Sequence, residues 1–174
     1  MQDAIARAAQ VRLMIFDVDG ILTDGSLHYG PNGELIKTFN VLDGHGIKLL
    51  QQSGVATAII SARKSDIVAR RAADLGIQHL FQGVHDKLAA FQQLLEQTGI
   101  ASQHCGFIGD DVIDLPILLR AGFAASVPNA HPEVRARVHH VTQASGGHGA
   151  ARELCDFILR AQGNYEAALA PYLG

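Results

Sequence analysis

Asp17 and Asp19 stand two residues apart in the run Asp17-Val18-Asp19-Gly20. A carboxylate kept ionised beside a divalent cation can attack phosphorus, while a second one at the same mouth protonates the leaving oxygen and later activates water. Metal charge lowers one carboxyl pKa while hydrogen bonding and partial burial raise the other, so two identical side chains can divide those roles. Asp and Gly are also ordinary turn residues, so the interest of the run depends on its company. Asp110, Asp111 and Asp114 form a second acidic group. Like charges crowded in this way need a compensating cation or basic group, and an all-oxygen donor set favours Mg²⁺ over Zn²⁺. Asp110 or Asp111 can alternatively cap the helix that follows.

Three further residues suit an anionic substrate. The Ser61 hydroxyl and neighbouring backbone N–H groups can hold a phosphoryl oxygen, and Arg63 can extend that contact to a carboxylate or phosphate. Lys87 falls at the start of a predicted helix, the unfavourable end for a cation, which implies compensation by Asp17 or by substrate phosphate. Nucleophile, acid/base, phosphate clamp and metal ligand are thus each supplied once, as phosphoryl transfer requires when negative charge spreads over three equatorial oxygens.

The elements that must position these groups are legible as apolar runs. Residues 13–16, 55–60 and 105–108 each read as a buried strand that stops at a polar segment, carrying Asp17, Ser61 and Asp110 respectively at its carboxyl end. Ser65 caps a predicted helix that stops at Gly76, and Asp86 caps another with Leu88, Phe91, Leu94 and Leu95 on one face before Gly99. A short helix over 115–119, a strand over 123–127, a helix opening near Pro132 and a last strand over 138–141 continue the alternation. The pattern predicts a three-layer α/β fold, a Rossmann-like parallel sheet with helices on both faces and right-handed crossovers. Residues 25–39 break the rhythm and read as a β-hairpin around Gly30-Pro31-Asn32-Gly33, placed to stand over the site as a small flap. Residues 145–149 read as a flexible stretch before a helix over 150–161, with a tail to 174 that can fold back or reach a neighbouring subunit.

Composition bounds the rest. The 174 residues, 48% of them hydrophobic, suit one domain spanning 1–174. Fourteen Lys plus Arg against 17 Asp plus Glu leaves a net charge of −3 with no basic stripe, which argues against nucleic acid as a partner. Cys105 and Cys155 lie in apolar stretches, as expected of buried thiols in a reducing cytoplasm. No window approaches a membrane span, and residues 1–10 read as a short helix and not an export signal.

In their order these residues resemble the haloacid dehalogenase phosphatase superfamily: Asp17-Val18-Asp19-Gly20 its first motif, Ser61 its second, Lys87 its third, and Gly109-Asp110-Asp111-Val112-Ile113-Asp114 its fourth. The resemblance implies that Asp17 is nucleophile and metal ligand, that Asp19 is acid/base with its carbonyl on the metal, and that Asp110 is the other direct ligand. It further implies that Ser61, Lys87 and Gly20 bind phosphate while Asp111 and Asp114 support the Mg²⁺ shell.

A closer likeness, across nearly the whole chain, is to the branch that hydrolyses 3-deoxy-D-manno-octulosonate 8-phosphate. Residues 16–25, 39–47 and 146–153 carry it. That branch lacks a large cap domain and forms tetramers in which the hairpin and a neighbour's tail enclose the site, so His148 becomes a candidate tail contact. It typically has Arg where this chain has Leu42. The expectation is therefore hydrolysis of the sugar acid phosphate 3-deoxy-D-manno-octulosonate 8-phosphate through an aspartyl-phosphate, in a homotetramer, with a nine-carbon ulosonate phosphatase, a broader sugar phosphatase and an Asp-based phospho-receiver as alternatives. Asp19 argues against the receiver, because it can activate water against a phosphorylated Asp17.

Overall fold

A computed structural model describes residues 2–173. Along the chain come α1 (Gln2–Ala8), β1 (Leu13–Phe16), β2 (His28–Gly30), β3 (Gly33–Ile36), α2 (Val41–Gln52), β4 (Ala56–Ile60), α3 (Asp66–Leu75), β5 (His79–Phe81) and α4 (Lys87–Thr98). There follow β6 (Cys105–Ile108), α5 (Leu115–Leu118), β7 (Phe123–Ser126), α6 (Pro132–Arg135), β8 (His140–Val141), α7 (Ala150–Ala161) and α8 (Tyr165–Leu173).

Six strands form one sheet in the order β5-β4-β1-β6-β7-β8, with every pairing parallel. Each residue of β1 is buried, because side chains alternate between two covered faces. Met14 and Phe16 join one apolar cluster with Ile47, Leu50, Val68, Leu154 and Ile158, so α2, α3 and α7 cover that face. Leu13 and Ile15 join the other with Phe91, Leu94, Ile117 and Val134, which brings α4, α5 and α6 to the opposite face. Both cysteines are buried and unpaired, as the sequence predicts.

The connectivity decides where chemistry can happen. From β1 the chain moves outward to β4 and β5, then returns to the other side of β1 for β6, β7 and β8. Loops leaving β1 and β6 diverge at this reversal and leave a crevice beyond the strand ends, the usual ligand position in open α/β sheets. Asp17 and Asp110 lie at those two strand ends.

Helix boundaries follow local chemistry. Ser65 accepts from Val68 N–H and Asp86 from Ala89 N–H, and the two helices so opened end on left-handed Gly76 and Gly99. Three expectations need adjustment. The hairpin is confined to β2 and β3, and residues 37–39 leave it to deliver Asn40 as the cap of α2. The stretch 145–149 is a bonded turn, not free chain: Gly147 N–H donates to Ile21 O at 2.9 Å, and the Glu153 carboxylate accepts from the N–H groups of Gln143 and Ala144. Helix α7 then belongs to the core, with six buried residues including Leu154, Cys155 and Ile158.

Candidate active site

Tight backbone turns build the site from its two strand ends. After Asp17 the N–H groups of Leu22 and Thr23 both donate to Val18 O, at 2.9 and 3.0 Å, folding the loop back on itself. Gly20 carries φ 88°, and a Cβ there would fall 2.1 Å from Asp110 Oδ2. Glycine at position 20 is therefore what lets the loop after β1 approach the Asp110 carboxylate. On the other loop, a Cβ on Gly109 would meet the Asp114 carboxylate at 2.5 Å, so the glycine before Asp110 makes room for Asp114.

Lys87 is the buried hub. Its ammonium donates to Asp17 Oδ1 at 2.9 Å and to Asp114 Oδ1 at 2.6 Å, and only 3% of the residue is exposed. Asp114 Oδ2 accepts from the N–H groups of Asp110 and Asp111, at 3.1 and 3.3 Å. Both Asp114 oxygens are thus committed to holding other groups in place. Asp111 is exposed and its Oδ1 accepts from Val112 N–H, opening a 3₁₀ turn, which is the capping role anticipated as its alternative.

The electrostatics leave the site short of positive charge. Burial pushes the Asp17 carboxyl up to about 8, and Asp114 adds to this while Lys87 works against it. Burial likewise raises Asp110 to about 7, with repulsion from Asp114 and Asp111 adding to it. Burial alone would depress Lys87, but Asp17 and Asp114 hold its ammonium above the usual range. One ammonium does not balance the buried carboxylates of Asp17 and Asp114 and the half-buried one of Asp110, and a cation between Asp17 and Asp110 would relieve both.

The residues fit such a cation. One oxygen from each of Asp17, Asp110 and Asp114 lies within 4.8 Å of the others, and among the described residues no His or Cys donor joins the group. An all-oxygen set of this kind suits a hard divalent cation such as Mg²⁺. Because Lys87 and two backbone N–H groups already occupy Asp114, Asp17 and Asp110 are the carboxylates with oxygens to spare.

A cleft of about 250 Å³ opens at this point, with Asp17, Asp19, Ser61, Arg63, Lys87, Asp110 and Asp111 in its lining. These seven expected residues, from four different strand and helix ends, therefore meet in one place. Ser61 is buried just beyond β4, and its Oγ accepts from Arg63 N–H at 3.4 Å. A larger depression between Gln51, Thr57 and His79 carries no carboxylate and sits toward the opposite end of the strands.

Sequence reasoning missed the contribution of the hairpin and of Lys37, the residue directly after it. The Lys37 ammonium, on a side chain 1% exposed, contacts Asp19 Oδ1 and lies 3.1 Å from Glu34 Oε1. Arg63 closes a ring of alternating charge, 3.6 Å from Asp19 Oδ2 and 3.7 Å from Glu34 Oε1, and donates to the Tyr29 hydroxyl at 2.7 Å. Glu34 also accepts from Ser65 Oγ, the cap of α3. Burial works against the Glu34 charge, yet the bonds from Ser65 and Lys37 hold its carboxyl below the ordinary range. The hairpin pattern was visible in sequence, but nothing local to Glu34 or Lys37 marks a partner at residue 19 or 65.

Leu42 and His148 lie away from this cleft. Leu42 is 58% exposed, and together with His148 and Arg152 it lines a separate open depression between α2 and α7. Leu42 is thus not a core residue, and His148 reaches no group of the Asp17 cleft within its own chain.

Residues 76–154 match the family model described as haloacid dehalogenase-like hydrolase. The 3-deoxy-D-manno-octulosonate 8-phosphate phosphatase KdsC of Escherichia coli strain K12 is 47% identical over 95% of this chain and 88% of that protein. Among solved structures, a probable YrbI family phosphatase from Pseudomonas syringae superposes with a TM-score of 0.98 at 52% identity, over 100% of this chain and 99% of that one. The Moraxella catarrhalis 3-deoxy-D-manno-octulosonate 8-phosphate phosphatase, solved with magnesium, phosphate and the sugar acid, gives 0.96 at 45% identity, over 99% of each chain.

Proposed function

From the chain's membership of the haloacid dehalogenase-like hydrolases, among the 3-deoxy-D-manno-octulosonate 8-phosphate phosphatases, we infer a Mg²⁺-dependent hydrolysis of that ester to the free sugar acid and phosphate. The observation that carries the reading is the Asp17 carboxylate. One oxygen is fixed by buried Lys87 and the group lies beside Asp110 at the floor of a cleft.

When bound, Mg²⁺ supplies the charge that keeps Asp17 and Asp110 ionised and lets an anionic ester approach them. Asp17 attacks phosphorus, and the bond to the sugar oxygen breaks as the aspartyl-phosphate forms. Asp19 gives its proton to that oxygen, then takes one from the water that attacks the aspartyl-phosphate and restores Asp17. Ser61 and the Lys87 ammonium hold the phosphoryl oxygens, with the N–H of Gly20 beside them, and Arg63 faces the sugar acid. Asp114 keeps Lys87 and the backbone of Asp110 in place throughout.

The same reading makes the protein a cytoplasmic homotetramer whose product enters lipopolysaccharide synthesis, with a neighbour helping to enclose the cleft. Leu27, just before β2, and Tyr29, Leu35 and Ile36 of the hairpin support it, since these large apolar and aromatic side chains are all more than two-fifths exposed. Light scattering on purified protein tests assembly, and a fully active monomer would remove this part.

Release of phosphate from the eight-carbon ester, stimulated by Mg²⁺ and lost in EDTA, tests the activity. Leu42, in place of the branch's Arg, favours one second reading, a nine-carbon ulosonate ester. Comparing kcat/KM for the two esters separates them, because the phosphate contacts are shared and only distal contacts discriminate.

A further inference from the structure

Asp43 is almost fully buried, 2% exposed, yet it lies outside the cleft and takes no part in the chemistry above. It belongs to the segment 39–47, and its partner is the segment 146–153, two sequence motifs that the reaction leaves unexplained. Helix α7 opens at Gly149, which has φ 103° and no side chain with which to cap the first turn. The Asp43 carboxylate takes that place from another helix: Oδ1 accepts from Arg152 N–H, in the first turn of α7, at 2.8 Å. A carboxylate at a helix start satisfies otherwise orphaned N–H groups and the helix dipole together. Oδ2 is buried without a hydrogen-bond partner among the described residues, so the group is held there at a cost that a solvent-exposed cap would not carry.

What Asp43 holds is the turn pressed against the loop that follows Asp17. Gly147 N–H donates to Ile21 O at 2.9 Å, and Asn40, the cap of Asp43's own helix, donates from its side chain to Gly147 O at 3.5 Å. A Cβ on Gly146 would lie 1.7 Å from Gly20 O, and one on Gly147 would lie 2.5 Å from Asp24 N. On its other side Gly146 N–H meets Asn129 Oδ1 at 3.4 Å, and nearby His131 N–H donates to Asp110 O at 2.8 Å. The turn is therefore wedged behind both acidic loops.

We propose that Asp43 is a positioning residue: by capping α7 from α2 it seats the Gly146-Gly147 turn against residues 20–24 and so fixes the loop bearing Asp17 and Asp19 relative to Asp110. The inference deepens the phosphatase reading and rests on it for the kinetic arm alone. Asp43→Asn keeps an acceptor for Arg152 N–H but removes the charge at the helix start, whereas Asp43→Ala removes both.

The test is hydrogen exchange by mass spectrometry on full-length wild type, Asp43→Asn, Asp43→Ala and Ile158→Val, the last a control that loosens α7 without touching the cap. Exchange in residues 18–24 should quicken at least tenfold in Asp43→Ala, less in Asp43→Asn and not in Ile158→Val, with β1 and β4 unchanged. With the eight-carbon ester, kcat should fall about tenfold in Asp43→Ala while KM moves less than threefold. Should Asp43→Ala fail to fold, Asp43→Asn decides by the same readouts. Wild-type exchange across residues 18–24 in Asp43→Asn and in any folded Asp43→Ala overturns the proposal. An inactive wild type would instead overturn the substrate reading and leave the exchange result to decide this one.

Discussion

Asp114 holds Lys87 at 2.6 Å through one carboxylate oxygen and ties down the loop carrying Asp110 through the other, and it is completely buried while doing so. Asp110 has the opposite character, raised by burial and by its acidic neighbours. Two aspartates four residues apart therefore do different physical work, one as scaffold and one as a charge in want of a cation.

Substitution should separate them. Asp114→Asn leaves the Lys87 ammonium with half its compensation, and breaking a buried charge pair costs roughly 3–5 kcal/mol. The expected result is a fall in Tm with and without Mg²⁺. Asp110→Asn removes a repelled carboxylate, so metal-free Tm should hold or rise while the stabilisation given by Mg²⁺ disappears. Thermal denaturation in EDTA and in Mg²⁺ reads both, and an unchanged Mg²⁺ response in Asp110→Asn contradicts the assignment.

The raised carboxyls set a pH dependence whose sign can be worked out. In the folded, metal-free chain Asp17 and Asp110 keep protons up to about 8 and about 7, whereas unfolded aspartate releases them near 3.9. Between those limits the folded state binds more protons, so stability falls as pH rises and recovers on acidification. Metal-free Tm should thus be higher at pH 6 than at pH 9, with Asp17→Asn and Asp110→Asn each flattening the difference. Mg²⁺ competes with the same protons, so the concentration giving half-maximal activity should increase as pH drops from 8 to 6. A half-activating concentration independent of pH would contradict this.

Lys37 offers a test of the hairpin. Lys37→Met keeps the buried stem and deletes the ammonium that faces Asp19 and Glu34. Misplacing a reacting group by about 1 Å can cost on the order of 100-fold in rate. A loss of about tenfold or more in kcat is expected, with a smaller change in KM. Wild-type kcat in this variant would show that Asp19 is oriented without the hairpin.

The cleft residues were legible because uninterrupted apolar strands deliver them: β1, β4 and β6 end at Asp17, Ser61 and Asp110. Helix α7 was equally plain, its apolar face repeating at helical spacing. Helix α2 was not, since Gly44 and Gly46 weaken its helical signal. Its glycines answer to distant neighbours: a Cβ at 44 would meet the Arg71 guanidinium at 2.3 Å, and one at 46 would meet Arg152 Cα at 3.0 Å. Strand β5 spans three residues, none fully buried, and leaves no apolar run to find. Glu34 and Lys37 pair locally, but they and Asp43 escaped notice because the partners that tie them to other elements lie 18 to 109 residues away along the chain.

Hydrolysis by the proposed route requires Asp17 to receive the phosphoryl group. Acid quenching during turnover of the eight-carbon ester, followed by peptide mass spectrometry, reads this directly. The expected result is one phosphoryl adduct on the peptide containing Asp17, formed only with Mg²⁺ present and absent from Asp17→Asn. Full turnover by Asp17→Asn, or an adduct on another residue, would contradict it.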